Sequence, residues 1–224
     1  MAEATSLVRL LHLVSPTLPT GAYSYSQGLE WGVEAGWITD KKSLGNWLIQ
    51  VSEQSLGRVD IPILARMYAA VRDGDPQLLG HWCDLVLACR ETSELRDEER
   101  TRGRALATLL AQLDLPGRQH FADLLPCCQL AGFAFAAASW EILLGDAATG
   151  YAWAWLENQV LTGMKIIPLG QSEGQRLLLE LPPKILQNIK NGLDLDDGEI
   201  GGSSPALAIA SSLHETQYTR LYRS

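Results

Sequence analysis

The sequence predicts an all-α fold, and three observations carry the prediction. Apolar residues recur at three- and four-residue spacing along nearly the whole chain. No run alternates with period two. Asp-Pro and Ser-Pro pairs stand where apolar stripes begin. With 224 residues, 46% of them hydrophobic and 20% charged, the chain lies within one domain's range and can fill a sizeable core. The expected architecture is a single compact helical domain over 1–224, with roughly nine helices. Residues 191–204 are expected to form a flexible linker and 205–224 a C-terminal helix and partner-binding tail.

Each helix has its own signals. Thr39-Asp40 precedes one carrying Leu44, Trp47, Leu48, Val51 and Leu56. Asp60 and Pro62 punctuate the next, with Ile63, Leu64, Met67, Tyr68 and Val71. Asp75-Pro76 supplies the N-cap and first residue of a helix reaching Cys89. Thr92 to Asp114 reads as a long helix, charged in its first half and apolar in its second. Pro126 to Leu144 is Ala-rich and apolar all round, which places it centrally. Asp146 is expected to cap the next, through Trp153, Leu156, Val160 and Met164. Ser172 to Leu193 is helical with a break at Pro182-Pro183. Ser204-Pro205 opens the last helix, from Ala206 to about Leu213.

A formal net charge of −8 argues against nucleic-acid binding, which depends on neutralising phosphates, and against anionic membrane surfaces. No apolar stretch is long enough for a transmembrane helix. Leu7 to Val14 is interrupted by Arg9 and His12 and does not read as a secretion signal. Cys83, Cys89, Cys127 and Cys128 read as buried, reduced thiols of a cytoplasmic protein.

Searches for chemistry return little. No Gly-Lys-Ser/Thr occurs, so no phosphate-binding loop is expected. Asp194 to Glu199 lacks the spacing of a calcium loop and reads as solvated linker. His81 and Cys83 splay apart on a helix, and the remaining histidines are isolated in sequence. The charged run Glu91 to Arg104 reads as a solvated salt-bridge face, with a polar binding face as the alternative. No catalytic residue, metal ligand or cofactor is expected, and the chain does not read as an enzyme.

Three segments do not fit plain packing. Ser15 to Trp31 crowds hydroxyls, prolines and glycines into a loop, including Pro19, Tyr23, Ser24, Ser26 and Glu30. Lys165 to Gln171 sets a lysine at a helix end before a turn containing Pro168. Lys165 and Glu30 are charges in otherwise apolar or hydroxyl-rich surroundings, so they serve a partner or form a buried pair. The tail His214, Glu215, Thr216, Gln217, Tyr218, Thr219, Arg220, Leu221, Tyr222, Arg223, Ser224 follows a stretch with four Gly and four acidic residues. Tyr and Arg are common interface anchors. Such a tail either grips a partner or folds back on its own domain.

The run SPTLPTGAYSYSQGLEWGVEAGW, Thr92 to Arg96 with Gly103 to Leu106, Lys165 to Gln171 and the closing HETQYTRLYRS together resemble the UreF family of urease accessory proteins. The resemblance implies an all-helical homodimer that is not itself an enzyme. It implies binding to UreD (also called UreH), the GTPase UreG and apo-urease. The complex delivers nickel as cargo and assists carbamylation of the urease active-site lysine. Under the resemblance, the tail with its preceding helix would bind UreD, with Tyr218 and Tyr222 as anchors and Arg220 and Arg223 as ion-pair donors. UreG would lie near Pro19, Tyr23, Ser24, Ser26, Glu30, Lys165, Pro168 and Gln171. UreF would regulate UreG; alternatively it would act as a direct GTPase activator, supplying Arg220 or Arg223 in trans.

Overall fold

The computed structural model describes residues 2–224, and among them are eleven α-helices and no strand. They are α1 (Ala2–Leu13), α2 (Leu29–Glu34), α3 (Lys41–Val51), α4 (Ile61–Asp73), α5 (Pro76–Ala88), α6 (Ser93–Gln112), α7 (Gln129–Ser139), α8 (Leu144–Ile166), α9 (Gln171–Glu180), α10 (Pro182–Leu193) and α11 (Pro205–His214). The two beyond the expected nine are α1 and the six-residue α2.

The core forms around α7, which packs against both α4 and α6. Ala131, Ala134, Ala136 and Ala137 have no exposed surface, so neighbouring backbones approach closely. Around α7 the closest such approach lies at Gly103 of α6. A Cβ added there would stand 2.6 Å from the Cys128 carbonyl carbon. Phe133 and Phe135 fill the space on either side of the alanines.

Several caps lie where the sequence places them. Asp75 accepts the Leu78 amide, Thr92 accepts the Leu95 amide, and Asp40 forms a reciprocal box with Ser43. Three expectations need correction. Asp60 and Pro62 do not break the chain. α3 passes through a π-helical stretch, Ser52–Asp60, directly into α4. The wider turn changes the hydrogen-bond register just before the proline, so its missing N–H is tolerated. The central helix is shorter than Pro126 to Leu144, because Cys128 is extended and Glu141 turns left-handed at φ 56. Asp146 does not cap α8. It sits in the first turn, where a carboxylate favours the helix dipole.

The residues expected to form a flexible linker are bonded to the domain at several points. α10 continues to Leu193, and the rest of 191–204 is fastened down as a strap. Arg66 Nε donates to Asp197 Oδ1 at 2.8 Å, and its guanidinium also reaches the Leu195 carbonyl. Arg58 donates to the carbonyls of Gly201 and Glu199, while Gly201 N–H returns a bond to Arg58 O at 3.0 Å. Ser203 Oγ donates to Glu91 at 2.9 Å. A segment that composition reads as free is held by two arginines far away in sequence. Cys83 and Cys128 are buried, with their sulfurs 3.9 Å apart, whereas Cys89 and Cys127 are only half-buried. No helix among the described residues is long and apolar enough to cross a membrane.

Candidate functional site: a docked tail, its receptor and a polar chamber

The receptor is the turn Ser26–Glu30. Gln27 and Gly28 are both left-handed, at φ 54 and φ 76. A Cβ on Gly28 would come within 3.0 Å of the Ser211 amide nitrogen, so glycine lets α11 lie directly on the turn. Gln27 pays for the same geometry without glycine's freedom, and side-chain bonds on both ends of its amide hold it there.

Glu30, buried at the start of α2, is the anchor of the tail. Its Oε1 accepts the Leu221 N–H at 2.7 Å and its Oε2 accepts the Tyr222 N–H at 3.0 Å. The fully buried His214 ring sits between two carboxylates, with Nε2 3.1 Å from Glu30 Oε2 and Nδ1 2.7 Å from Glu94 Oε2. Glu94 also receives Arg220 Nη1 at 2.7 Å. At the far end, Ser26 N–H donates to the Ser224 carbonyl at 2.8 Å, and Ser26 Oγ donates to the same oxygen. Arg223 N–H donates to Ser24 O at 2.9 Å. Glu215, at the end of α11, accepts the Ser93 hydroxyl at 2.6 Å and the Ser93 amide at 2.9 Å, capping α6 from outside. The Ser93 hydroxyl and the α6 amides hold its carboxyl below the usual range.

The loop and the tail, separate in sequence, therefore form one unit inside one chain. Ser26, Glu30, His214 and Ser224 face inward, and no ion pair joins Lys165 to Glu30. Facing outward are Tyr218, fully exposed, Leu221, 75% exposed, Tyr23, Thr216, Thr219 and Arg223, with Ile209 and Leu213 on α11; Glu215 and Arg220 are exposed as well but tied to Ser93 and Glu94. Gln217 is half-buried and Tyr222 is buried. Lys165 is exposed in the last turn of α8, and Pro19, Pro168 and Gln171 are exposed as well. Pro168 lines a different groove, beside Lys41 and Glu173 of α3 and α9.

Behind the receptor lies a cavity of about 170 Å³ whose lining runs from Tyr23 and Lys165 inward to Asp60, Arg90, Glu99 and Gln129. Arg90 bridges Asp60 and Glu99, the latter at 2.6 Å. Arg102 pairs with Glu98 at 2.6 Å. This corrects the reading of Glu91 to Arg104 as a solvated face. Leu95, Glu98, Glu99, Gly103, Leu106 and Leu110 are the buried residues of α6, and they share one helical stripe. Two carboxylates in line with leucines were the sequence signal that this face turns inward. The outer pair Asp97–Arg100, at 3.6 Å, does remain solvated.

The chamber's electrostatics follow from its burial. Burial pushes the Asp60 carboxyl up, and Arg90 offsets this only in part. Burial works against the Arg90 charge as well, yet Asp60 and Glu99 overcome it and hold the guanidinium well above its usual value. Burial, then the charges of Asp60 and Glu99, push the Tyr151 hydroxyl well up. Gln129 Oε1 and Arg102 Nε are buried without a hydrogen-bond partner, so one acceptor and one donor remain for water. Among the described residues, no three His, Cys, Asp or Glu side chains are grouped to hold a metal ion.

A UreF family model matches residues 38–182. Curated relatives extend the likeness to the loop and the tail. The urease accessory protein UreF of Alkalilimnicola ehrlichii is 50% identical over 220 residues, covering 96% of this chain and 95% of that relative. The proteins of the same name from Alcanivorax borkumensis and Pseudomonas putida are each 47% identical, over 98% and 100% of this chain. With the family match spanning more than half the chain and these identities spanning nearly all of it, the chain belongs to the UreF family.

Proposed function

We propose that this chain is a non-catalytic adaptor of urease maturation. It bridges UreD (UreH) and the GTPase UreG on apo-urease and regulates GTP hydrolysis by UreG while nickel is delivered as cargo. It works in the cytoplasm as a homodimer within that complex. The observation that carries this reading is the two-sided tail. Its backbone groups and His214 are fastened to Glu30, Glu94 and Ser26, while Tyr218 and Leu221 project outward with no cover from their own chain. Exposed aromatic and apolar side chains on a fixed support make a pre-organised interface. In this reading UreD covers Tyr218, Leu221 and the outer face of α11. UreG meets Lys165 and Tyr23 at the chamber mouth, with Pro168 and Gln171 beyond it. Nickel crosses the protein through polar passages completed by the assembled partners, and no closed site holds it.

The double variant Tyr218→Ala/Leu221→Ala is expected to weaken capture of UreD by about 30-fold or more, the loss of roughly 2 kcal/mol typical of one hot spot. Lys165→Ala is expected to spare UreD and reduce UreG recruitment. Affinity measurements with each partner separate the two surfaces, and undiminished UreD binding by the double variant defeats the tail assignment.

One observation favours a second reading, direct activation of UreG. Arg220 is tied to Glu94, but Arg223 is exposed and forms no ion pair among the described residues. If Arg223 enters the UreG site in trans, Arg223→Ala will cut GTP turnover in the assembled complex by about 10³-fold while leaving its assembly intact. A change of less than a few-fold leaves regulation to positioning.

A further inference from the structure

Two buried thiols belong neither to the tail and its receptor nor to the chamber lining. Cys83 on α5 is 2% exposed, and Cys128, the N-cap of α7, has no exposed surface. Cys128 Sγ donates a weak hydrogen bond to Cys83 Sγ at 3.9 Å. That spacing decides between two chemistries. A disulfide needs the sulfurs about 2.0 Å apart, so the pair would have to close by nearly half its separation. One metal ion bonded to two thiolates at about 2.3 Å holds them roughly 3.8 Å apart at a tetrahedral angle and roughly 4.6 Å apart when linear. The observed spacing lies inside that range. The pair is also held in place, because Gly103 of α6 lies against the Cys128 backbone and a Cβ there would stand 2.9 Å from its Cα. The hydrogen bond to Cys83, then burial, hold the Cys128 thiol well above its usual pKa, against the opposing pull of the Ala131 amide in the first turn of α7. Such a thiol keeps its proton until a cation displaces it. Cys127, next in the chain, is only half-buried, and its sulfur donates to the Asp123 carbonyl at 3.6 Å. It lies close enough to Cys83 for the two thiols to interact electrostatically.

We propose that Cys83 and Cys128 form a two-thiolate site for one soft monovalent cation, copper(I), with Cys127 as the thiol through which it enters. On binding, both S–H bonds break, two S–Cu bonds form and two protons pass to water, with no change of oxidation state. The bound unit carries one net negative charge, and it sits at the N-terminus of α7, where the helix dipole favours an anion. The donor set selects the ion. Among the described residues no third His, Cys, Asp or Glu joins the pair to hold a metal. Zinc wants four ligands, and nickel(II) a square-planar or larger set with nitrogen or oxygen donors, whereas copper(I) is satisfied by a few soft sulfurs. The site therefore stands apart from any nickel route and from the partner surfaces, and it is a property of the isolated chain.

The experiment loads the reduced, full-length chain with Cu(I) under anaerobic conditions, in competition with the chromogenic chelator bicinchoninate. One Cu(I) per chain is expected, and X-ray absorption is expected to show two sulfur neighbours with no nitrogen or oxygen. Cys83→Ser and Cys128→Ser are each expected to weaken binding about a hundredfold or more, because a two-point grip becomes a single one. Cys89→Ser is the control and leaves affinity unchanged. Cys127→Ser is expected to keep the affinity and slow the loading several-fold, since it removes the accessible thiol. Affinity that survives either Cys83→Ser or Cys128→Ser overturns the site, and so does an equal loss of affinity in Cys127→Ser. Two readings need only the unaltered chain, so a serine variant that fails to fold does not shield the proposal. Nitrogen or oxygen neighbours around the copper overturn it, as does displacement of Cu(I) by excess Ni(II).

Discussion

Replacing Arg90 with alanine is expected to destabilise the chain by about 3–5 kcal/mol, a large part of the 5–15 kcal/mol that holds a typical domain together. Arg90 is the shared counter-ion of Asp60 on the π-helical stretch and Glu99 on α6. Without it, two buried carboxylates face each other with no cation between them. The loss is read as a lower urea midpoint. Its pH dependence carries a sign. Burial already raises the Asp60 pKa, and removing Arg90 raises it further. A carboxyl whose folded pKa lies above its unfolded value binds more protons when folded, so stability is regained as pH falls through the folded value. The variant is therefore expected to recover part of its stability as pH falls from neutral toward the raised Asp60 value, the opposite sign to a carboxyl whose folded pKa is depressed. Combining Arg90→Met with Asp60→Asn and Glu99→Gln removes all three charges and is expected to restore most of the loss. A midpoint for Arg90→Ala within about 1 kcal/mol of the parent chain contradicts the chamber's charge arrangement.

The second large effect is steric. Gly103→Ala is expected to cost about 3 kcal/mol, near the upper end for overpacking. The new methyl would lie 2.6 Å from the Cys128 carbonyl carbon and 2.9 Å from its Cα and oxygen. These are backbone atoms, so no rotamer change relieves the clash, and α6 must move away from α7. Gly145, in the first turn of α8, has nothing within 4 Å of the corresponding position. Gly145→Ala is therefore the control, neutral or mildly stabilising, since alanine outranks glycine in a helix. Equal urea midpoints for the two variants contradict the α6–α7 packing.

The sequence read best where one residue determines one outcome. Asp40, Asp75, Thr92 and the Pro182-Pro183 break lie within a residue or two of their expected roles, because caps and prolines act locally. α1 escaped because it is apolar on several sides, with Leu7, Val8 and Leu11 exposed and Leu10 and Leu13 buried. α2 escaped because six residues give no periodicity to count. Asp60 was misread as punctuation because a π turn keeps the chain helical through a proline.

The site shows a deeper limit. Its residues were legible: both the Tyr23–Glu30 loop and the tail stood out by composition. Their union was not, because docking runs largely through backbone groups, the N–H of Leu221, Tyr222, Arg223 and Ser26 and the carbonyl of Ser224. Side-chain patterns do not encode which amides meet which carboxylate. The same holds for the strap, where Arg58 and Arg66 bind carbonyls that any residue could supply.

That strap sets how far the tail can travel. Its last backbone anchor is Gly201, and α11 begins at Pro205. The four Cα-to-Cα steps from Gly201 to Pro205 span roughly 14 Å at full extension. Even undocked from its receptor, the C-terminal helix is on a leash shorter than its own length of about 15 Å. It cannot search the surrounding solution for a partner or reach across to a distant site. The start of the helix is therefore confined to one corner of the molecule, and an assembly built on it inherits that anchor point.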